Sequence, residues 1–353
     1  MSDTNWAIYG AYGYTGEQIA EHAVRRGHRP TLAGRNESAL KMVAQRLNLP
    51  DRVLDVGDAE GMRQLAESHQ LVFNAAGPFS QTAVRVLEGC LLGKAHYLDI
   101  SGEPLVYEQL YAQHERALKA GIAILPGVGF DVVPTDCAAV LAANQVGTVT
   151  KLEIAIAVDG GTSRGSLFSV VEALEKGALF RREGLLHTVT AGARRMEIPF
   201  GGGPRVGLLA PWGDVASSFL SVGAPNIDVY MAFPRNAARP IQWGLRWAKW
   251  GLGFSWLRTG ILRALHTIAK RGPEPSELEH TRAEIWARAE GVDGRVAEIK
   301  LYTAGSYPFT TESAVLCVER TLELSPTGAT TPAKAFGPEL VFEITGTRKH
   351  QDK

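Results

Sequence analysis

The 353-residue chain reads as an α/β protein, with a doubly wound parallel sheet first and a second α+β domain after it. Three observations carry that reading. Up to about residue 128, short apolar runs alternate with amphipathic stretches of about 10–15 residues, the pattern of βαβ units. From Pro126 to Pro134 the texture turns Gly- and Pro-rich, which places a boundary near residue 130. The length also exceeds the roughly 100–200 residues typical of one domain.

The first domain, residues 1–130, is predicted element by element. Trp6 to Tyr9 is a strand, Gly16 to Arg26 a helix closed by Gly27, and Thr31 to Ala33 a second strand after Pro30. A helix from Ser38 to Leu47, a strand from Val53 to Val56, a helix from Ala59 to Ser68 and a strand from Leu71 to Asn74 follow. Ser80 is placed to cap a helix ending near Leu92; a strand from His96 to Ile100, a helix from Tyr107 to Ala120 before Gly121, and a strand from Ile122 to Leu125 complete the series. Right-handed crossovers turn six such strands into a doubly wound, Rossmann-type sheet. A helix from Thr135 to Asn144 leads into residues 131–326, where Leu152 to Val158, Ile227 to Phe233, Ala283 to Glu290 and Arg295 to Thr303 read as strands. Ser166 to Lys176 and Glu312 to Leu324 read as helices there, Asp293-Gly294 as a hairpin turn, and Gly201 to Pro204 and Gly272 to Pro275 as further turns.

Composition narrows the class. Apolar residues at 45% and charged residues at 21% fit an ordinary folded protein. Lys plus Arg equals Asp plus Glu at 37 each, so no overall field draws the chain to nucleic acid. Cys90, Cys137 and Cys317 form no C-x-x-C pair, and the nine histidines form no H-E-x-x-H cluster, so neither disulfides nor a metal is expected. Met1 to Thr4 run straight into an apolar strand without a leader, and no run has the ~18 apolar residues of a membrane span. A cytoplasmic protein is the expectation.

The loop after the first strand, Gly10-Ala11-Tyr12-Gly13-Tyr14-Thr15-Gly16, opens a helix. One glycine permits the tight turn, a second lets backbone approach a pyrophosphate, and a third lets helix and strand pack closely, while the helix N-terminus offers N–H groups to the anion. Gly10, Tyr12, Gly13, Tyr14, Thr15 and Gly16 are therefore assigned to dinucleotide binding. The second strand ends in Arg35-Asn36, where NAD-specific proteins commonly carry an acid. A guanidinium suits a 2′-phosphate and cannot accept from a ribose hydroxyl, so NADP is expected. Asp55 and Val56 are placed to bracket the adenine, and Ala75, Ala76 and Gly77 to line the nicotinamide side.

Four motifs in order are recognisable: G-A-Y-G-Y-T-G at Gly10 to Gly16, N-A-A-G-P-F at Asn74 to Phe79, Y-L-D-I-S-G-E at Tyr97 to Glu103, and P-G-V-G-F-D-V-V-P-T-D at Pro126 to Asp136. Together they resemble the saccharopine dehydrogenase-like family, nearest to its bacterial branch that includes trans-acting enoyl reductases. The resemblance covers about the first 140 residues and resumes weakly at Thr331 to Gly337. It implies that the C-terminal segment, residues 327–353, packs back against the first domain. The middle region is poorly matched, and no substrate carries over.

For chemistry, no tyrosine has Lys four positions later, so the Tyr-x-x-x-Lys pair of short-chain dehydrogenases is absent. Hydride transfer belongs to the nicotinamide, and the protein has to orient the partners and supply a proton donor where one is required. Asp99 and Asp131 are the catalytic candidates, and Ser101 joins the cofactor set; Asp99 and Asp131 read equally as caps of the turn and helix that follow them. Glu103 is ambiguous in the same way, and Tyr302 and Tyr307, placed on the second-domain sheet, read first as packing residues. The leading function is an NADPH-dependent reductase of a small or lipid-like substrate, with a C=C (enoyl) group favoured. A saccharopine-like C=N or C=O oxidoreductase, for which Arg164 is the loop arginine to test, and a non-catalytic NADP-binding module stand as alternatives.

In residues 240–271, Trp243, Trp247, Trp250, Phe254 and Leu257 recur at helical spacing, and every formally charged residue from Val229 through Pro273 is basic. That composition suits peripheral contact with an anionic membrane or guidance of a lipid-like substrate. It equally suits a helix packed internally or across a homodimer interface.

Overall fold

The structure, a computed structural model, describes residues 5–159, 177–252 and 281–350. The expected helix Ser166 to Lys176, the turn Gly272 to Pro275, Phe254 and Leu257 lie outside the described residues. So does the loop Gly161-Thr162-Ser163-Arg164-Gly165, which spells G-x-S-x-G. No described helix is long and apolar enough to cross a membrane.

Two units make up the chain: residues Met1–Val133 with Tyr307–Gly337, and Pro134–Ser306 with Pro338–Lys353. The first holds β1 (Trp6–Tyr9), α1 (Tyr14–Arg25), β2 (Thr31–Gly34), α2 (Glu37–Leu47), β3 (Asp51–Val53), α3 (Ala59–Glu67), β4 (Leu71–Asn74), α4 (Phe79–Gly93), β5 (His96–Asp99), α5 (Pro104–Tyr111), α6 (His114–Ala120) and β6 (Ala123–Leu125). Their parallel sheet has seven strands, because Gly328–Ala329, far along the chain, pairs beside β6. The order runs Gly328–Ala329, β6, β5, β4, β1, β2, β3, doubly wound about β1 and β4 as the alternation predicts. Trp6, Ala7 and Ile8 are wholly buried, as a strand covered on both faces requires. Where α3 meets α4, a methyl at Gly89 would stand 2.5 Å from Met62 Cγ and one at Gly93 2.6 Å from Ala66 Cβ, so the two glycines let these helices close on one another.

Several local expectations need correcting. α1 starts at Tyr14, two residues early, with Gly13 as its N-cap. β3 ends at Val53 because the Asp55 carboxylate accepts from the Gly57 N–H and turns the chain there. Pro78, not Ser80, is the N-cap of α4. The single helix expected from Tyr107 to Ala120 is two, since the Gln113 N–H bonds back to the Leu110 carbonyl in a tighter turn.

The second unit contains α7 (Val133–Val146, which begins at the unit boundary), β7 (Val149–Asp159), the hairpin β8 (Ala178–Arg182) and β9 (Leu185–Val189), β10 (Arg195–Phe200), β11 (Gly203–Leu209), α8 (Asp214–Ser221), β12 (Asn226–Phe233), α9 (Arg235–Leu252), β13 (Arg282–Gly291) and β14 (Val296–Ala304). Its mixed sheet runs β10, β11, β12, β7, β13, β14 and then Arg348–Lys349. The β13–β14 turn has Gly294 at φ 79° and an Asp293 carboxylate accepting from the Arg295 N–H, as Asp-Gly predicts. In register, Leu152, Ile154 and Ile156 share one sheet face with Val229, Ile285 and Leu301, all buried. The opposite face carries a charged rung across four strands, Asp228, Glu153, Arg288 and Glu298, anchored by Arg182 on Asp228 at 2.5 Å and Arg288 on Glu153 at 3.0 Å.

The expected division at residues 131–326 and 327–353 does not match the units. The helix α10 (Ser306–Leu324), from Tyr307 onward, belongs to the first, while residues 338–353 belong to the second, where Leu301 pairs with Lys349 and Tyr302 with Arg348. The reason is packing. Phe309 is wholly buried with its ring 5.7 Å from that of Phe130, Ser313 donates to the Val128 carbonyl, and Glu319 takes Arg26 and His28 at 2.5 and 2.8 Å. Phe309→Ala should therefore cost roughly 3–5 kcal/mol in denaturant unfolding. A loss below about 1 kcal/mol would show that this helix is not part of that core.

Candidate active site

The carboxyl ends of the parallel strands bring together the loops after β1, β2, β3 and β4. Gly10 has φ 86°, which favours glycine, and a methyl there would stand 2.7 Å from the Ala76 backbone nitrogen. A methyl at Gly16 would stand 2.5 Å from the Gly10 carbonyl oxygen, so this glycine permits close helix–strand packing. Gly13 differs: its φ is −68° and a methyl would meet only that carbonyl, at 3.2 Å. No side chain caps α1 at Gly13, and the N–H groups of a first helical turn have no intrahelical partner. The loop therefore fits a pyrophosphate, with Tyr14 and Thr15 opening the helix.

Arg35 lies just beyond β2, exposed, on the rim of an open depression of about 710 Å³ lined by Arg35, Asn36, Glu37, Ser38 and Lys41. Lys41 and Ser38 are residues the sequence reading missed; R-N-x-S-x-x-K, running into a helix, is the signal. Asn36 is chiefly the cap of α2, its Oδ1 accepting from the Ala39 N–H at 3.1 Å and from the Ser38 hydroxyl at 3.0 Å. The Tyr12 ring lies over Gly34, where a methyl would stand 2.5 Å from its Cε1. Tyr9, beside Asp55, Tyr12, Arg35 and the Val56 backbone, has its hydroxyl pKa pushed up to about 12, first by burial and then by Asp55. Ala75, Ala76 and Gly77 follow Asn74, whose Oδ1 accepts from the Ala76 N–H.

Two of the residues placed in the site, Asp99 and Ser101, lie in a buried hydrogen-bond network. Asp99 is wholly buried, and its Oδ1 accepts from the Ser101 N–H at 2.9 Å, the Ser101 hydroxyl at 2.7 Å and the Gly127 N–H at 2.9 Å, while its Oδ2 accepts from the Tyr97 hydroxyl at 2.6 Å. Burial raises its pKa while these donors oppose the shift. Ser101 is buried as well, and its carbonyl takes the Tyr107 hydroxyl. Both side chains are thus enclosed and engaged in this network.

Asp131 is different. It is half-buried in the loop after β6, and a methyl at Gly102 would stand 2.7 Å from its Oδ2, so Gly102 makes room for the carboxyl. Burial pushes that carboxyl up from 3.8 to about 6. Glu103 is the N-cap of α5. Tyr307 sits not on the second sheet but at the start of α10, edge-on to Tyr14 at 5.1 Å, and Tyr302 lies on β14 beside His350 at 5.4 Å. Among the described residues no group of three or more His, Cys, Asp or Glu is placed to hold a metal.

A carboxyl whose pKa is raised on folding binds its proton more tightly in the folded state. Its stabilising effect is complete below pH 3.8 and is lost as pH rises through about 6, leaving a constant penalty above. Asp131→Asn should therefore raise stability at pH 7 by roughly 1–3 kcal/mol and flatten the fall between those two values. Unfolding curves across pH check this, and an unchanged pH profile would contradict the burial of the group.

Residues 6–125 match the saccharopine dehydrogenase NADP binding domain. A saccharopine dehydrogenase-like oxidoreductase from Bos taurus is 28% identical over 175 residues, 44% of this chain and 41% of the relative. A trans-acting enoyl reductase from Mycobacterium bovis is 30% identical over 137 residues, 36% of this chain and 33% of the relative. The chain thus spans less than half the length of these curated relatives. Saccharopine dehydrogenase (L-Glu forming) from Saccharomyces cerevisiae shares the fold, with a TM-score of 0.64 over 99% of this chain and 100% of that one at 13% identity. The matched residues 6–125 run from β1 to β6 and include the glycine loop from Gly10 to Gly16.

Proposed function

We propose that the protein is an NADPH-dependent reductase that adds hydride and a proton to a polarised double bond, with an enoyl C=C as the favoured acceptor. The observation that carries this is the Asp131 carboxyl, held near a pKa of about 6 at the end of the cofactor-binding sheet. A general acid works best when its pKa lies near the working pH. When bound, the cofactor supplies the hydride. The chain's own part is to seat the pyrophosphate at Gly13 and the α1 N-terminus, to meet the 2′-phosphate with Arg35, and to deliver the Asp131 proton to the carbon or heteroatom that hydride addition leaves electron-rich. A relative named as an enoyl reductase supports the C=C choice over C=N or C=O.

Arg35→Ala should weaken NADPH by roughly ten- to a hundredfold and leave NADH little changed, because charge-assisted hydrogen bonds are worth on the order of 1.5–3 kcal/mol. Gly13→Val should block both cofactors in a folded protein. Equal weakening by Arg35→Ala would mean that the arginine reads something other than the phosphate. With a 2-enoyl thioester, kcat should fall as pH rises through about 6. Asp131→Asn should lower kcat roughly 10²–10⁴-fold at unchanged NADPH affinity. NADPH binding without oxidation by enoyl, imine or carbonyl acceptors would indicate a non-catalytic binding module.

A lipid-like substrate or peripheral membrane contact is proposed on separate grounds. On α9, Arg235, Arg239 and Trp243 follow at four-residue spacing and all are exposed. The protein should float with anionic but not neutral vesicles, lose binding as salt rises, and lose it in a folded Arg239→Ala, Trp243→Ala variant. No flotation at low salt removes the membrane contact.

A further inference from the structure

We propose that Glu37 and Lys41 form an internal counter-ion pair that tunes the preference for NADPH over NADH, with Lys41 a second cation for the 2′-phosphate and Glu37 its built-in competitor. The inference rests on the cofactor reading above and extends it to two residues that reading does not use.

The depression beyond β2 holds two cations, Arg35 and Lys41, and one carboxylate, Glu37. Glu37 is the first residue of α2, and the Asn36 cap fixes where that helix starts. Lys41 lies one turn on, its Nζ 2.6 Å from Glu37 Oε1, and both side chains are more than half exposed. An exposed i,i+4 pair of this kind is worth little, so a better partner readily breaks it. A ribose phosphate is such a partner, since it carries more charge than a carboxylate and more oxygens to accept the ammonium.

The carboxylate then acts in two directions. It holds Lys41 while the depression is empty, and it stands beside the phosphate as a like charge once the depression is filled. Toward a cofactor without the phosphate it is an acceptor for ribose hydroxyls, the role an acid at the end of the second strand plays in NAD-specific domains. Arg35 alone would make a steep preference for NADPH. Glu37 beside it makes a shallower one.

The test is titration of NADPH and of NADH into the full chain and its Glu37→Gln, Lys41→Ala and Arg35→Ala variants, at low and high salt. Glu37→Gln should tighten NADPH roughly three- to tenfold at low salt without tightening NADH. Lys41→Ala should weaken NADPH by a similar factor and leave NADH alone, and both shifts should shrink as salt rises. Circular dichroism confirms that the variants are folded. If Arg35→Ala abolishes the NADPH preference while both other variants leave the NADPH/NADH ratio within about twofold of the parent, the cofactor reading stands and the counter-ion pair is overturned. If Lys41→Ala weakens both cofactors equally, the lysine does not read the phosphate, and the pair is likewise overturned. A parent protein that binds neither cofactor overturns both readings.

Discussion

A carboxylate taken out of water must be met by donors or it destabilises everything around it, and Asp99 meets that demand with four. Its partners are the means by which the ends of neighbouring strands are held in register. Gly127 fixes the start of the loop that carries Asp131, and the Val128 N–H bonds the Asp99 carbonyl at 2.8 Å. In the other direction the Tyr97 hydroxyl, which donates to Asp99, accepts from Asn74 at 3.4 Å, and Asn74 accepts from the Ala76 N–H. Ala76 is the residue against which Gly10 packs. A line of hydrogen bonds and close packing thus runs from Gly127, at the start of the loop that carries Asp131, through Asp99 to Gly10 in the glycine loop.

The sheet was legible because central strands such as β1, β4 and β6 are short, buried apolar runs and its helices carry plain punctuation: Asp58 capping α3, and Gly121 left-handed after α6. One boundary error fell where a side chain decides, at Asp55 after β3, while the starts of α1 and α4 have no side-chain cap and the break at Gln113 is a backbone turn. The glycine loop was read from its spacing together with its place between the first strand and the first helix, and Gly10 and Gly16 do lie in close contact with backbone. The burial of Asp99 was not legible, because a buried hub and a catalytic acid at a strand end look alike in sequence and differ in exposure. That Lys41 lines the depression beside Arg35 follows from R-N-x-S-x-x-K only once α2 is known to start at Glu37, which brings residues 37 and 41 onto one face. The destination of α10 was hidden for a related reason: an apolar helix face announces that it will be buried and is silent about which core will bury it.

Burial raises the proton affinity of both acids, Asp99 after β5 and Asp131 after β6. Asp99 is surrounded by donors that suit its charged form, whereas burial holds Asp131 toward its neutral form. The second carries a stability penalty at neutral pH, and a fold tolerates such a group more readily where its use repays it.

The chain leaves the first unit at residue 133, returns to it at 307, and ends in the second at residues 338–353. Neither unit is therefore a contiguous stretch of polypeptide. During synthesis, the ribosome has delivered most of the second unit before Phe309 and the Gly328–Ala329 strand exist to complete the first. The nascent N-terminal sheet must wait with Phe130 lacking its ring partner for about 180 residues and with its β6 edge unpaired for about 200. An open strand edge is a template for mispairing. The late arrival of two residues beside β6 thus ties completion of the cofactor-binding sheet to translation of nearly the whole chain.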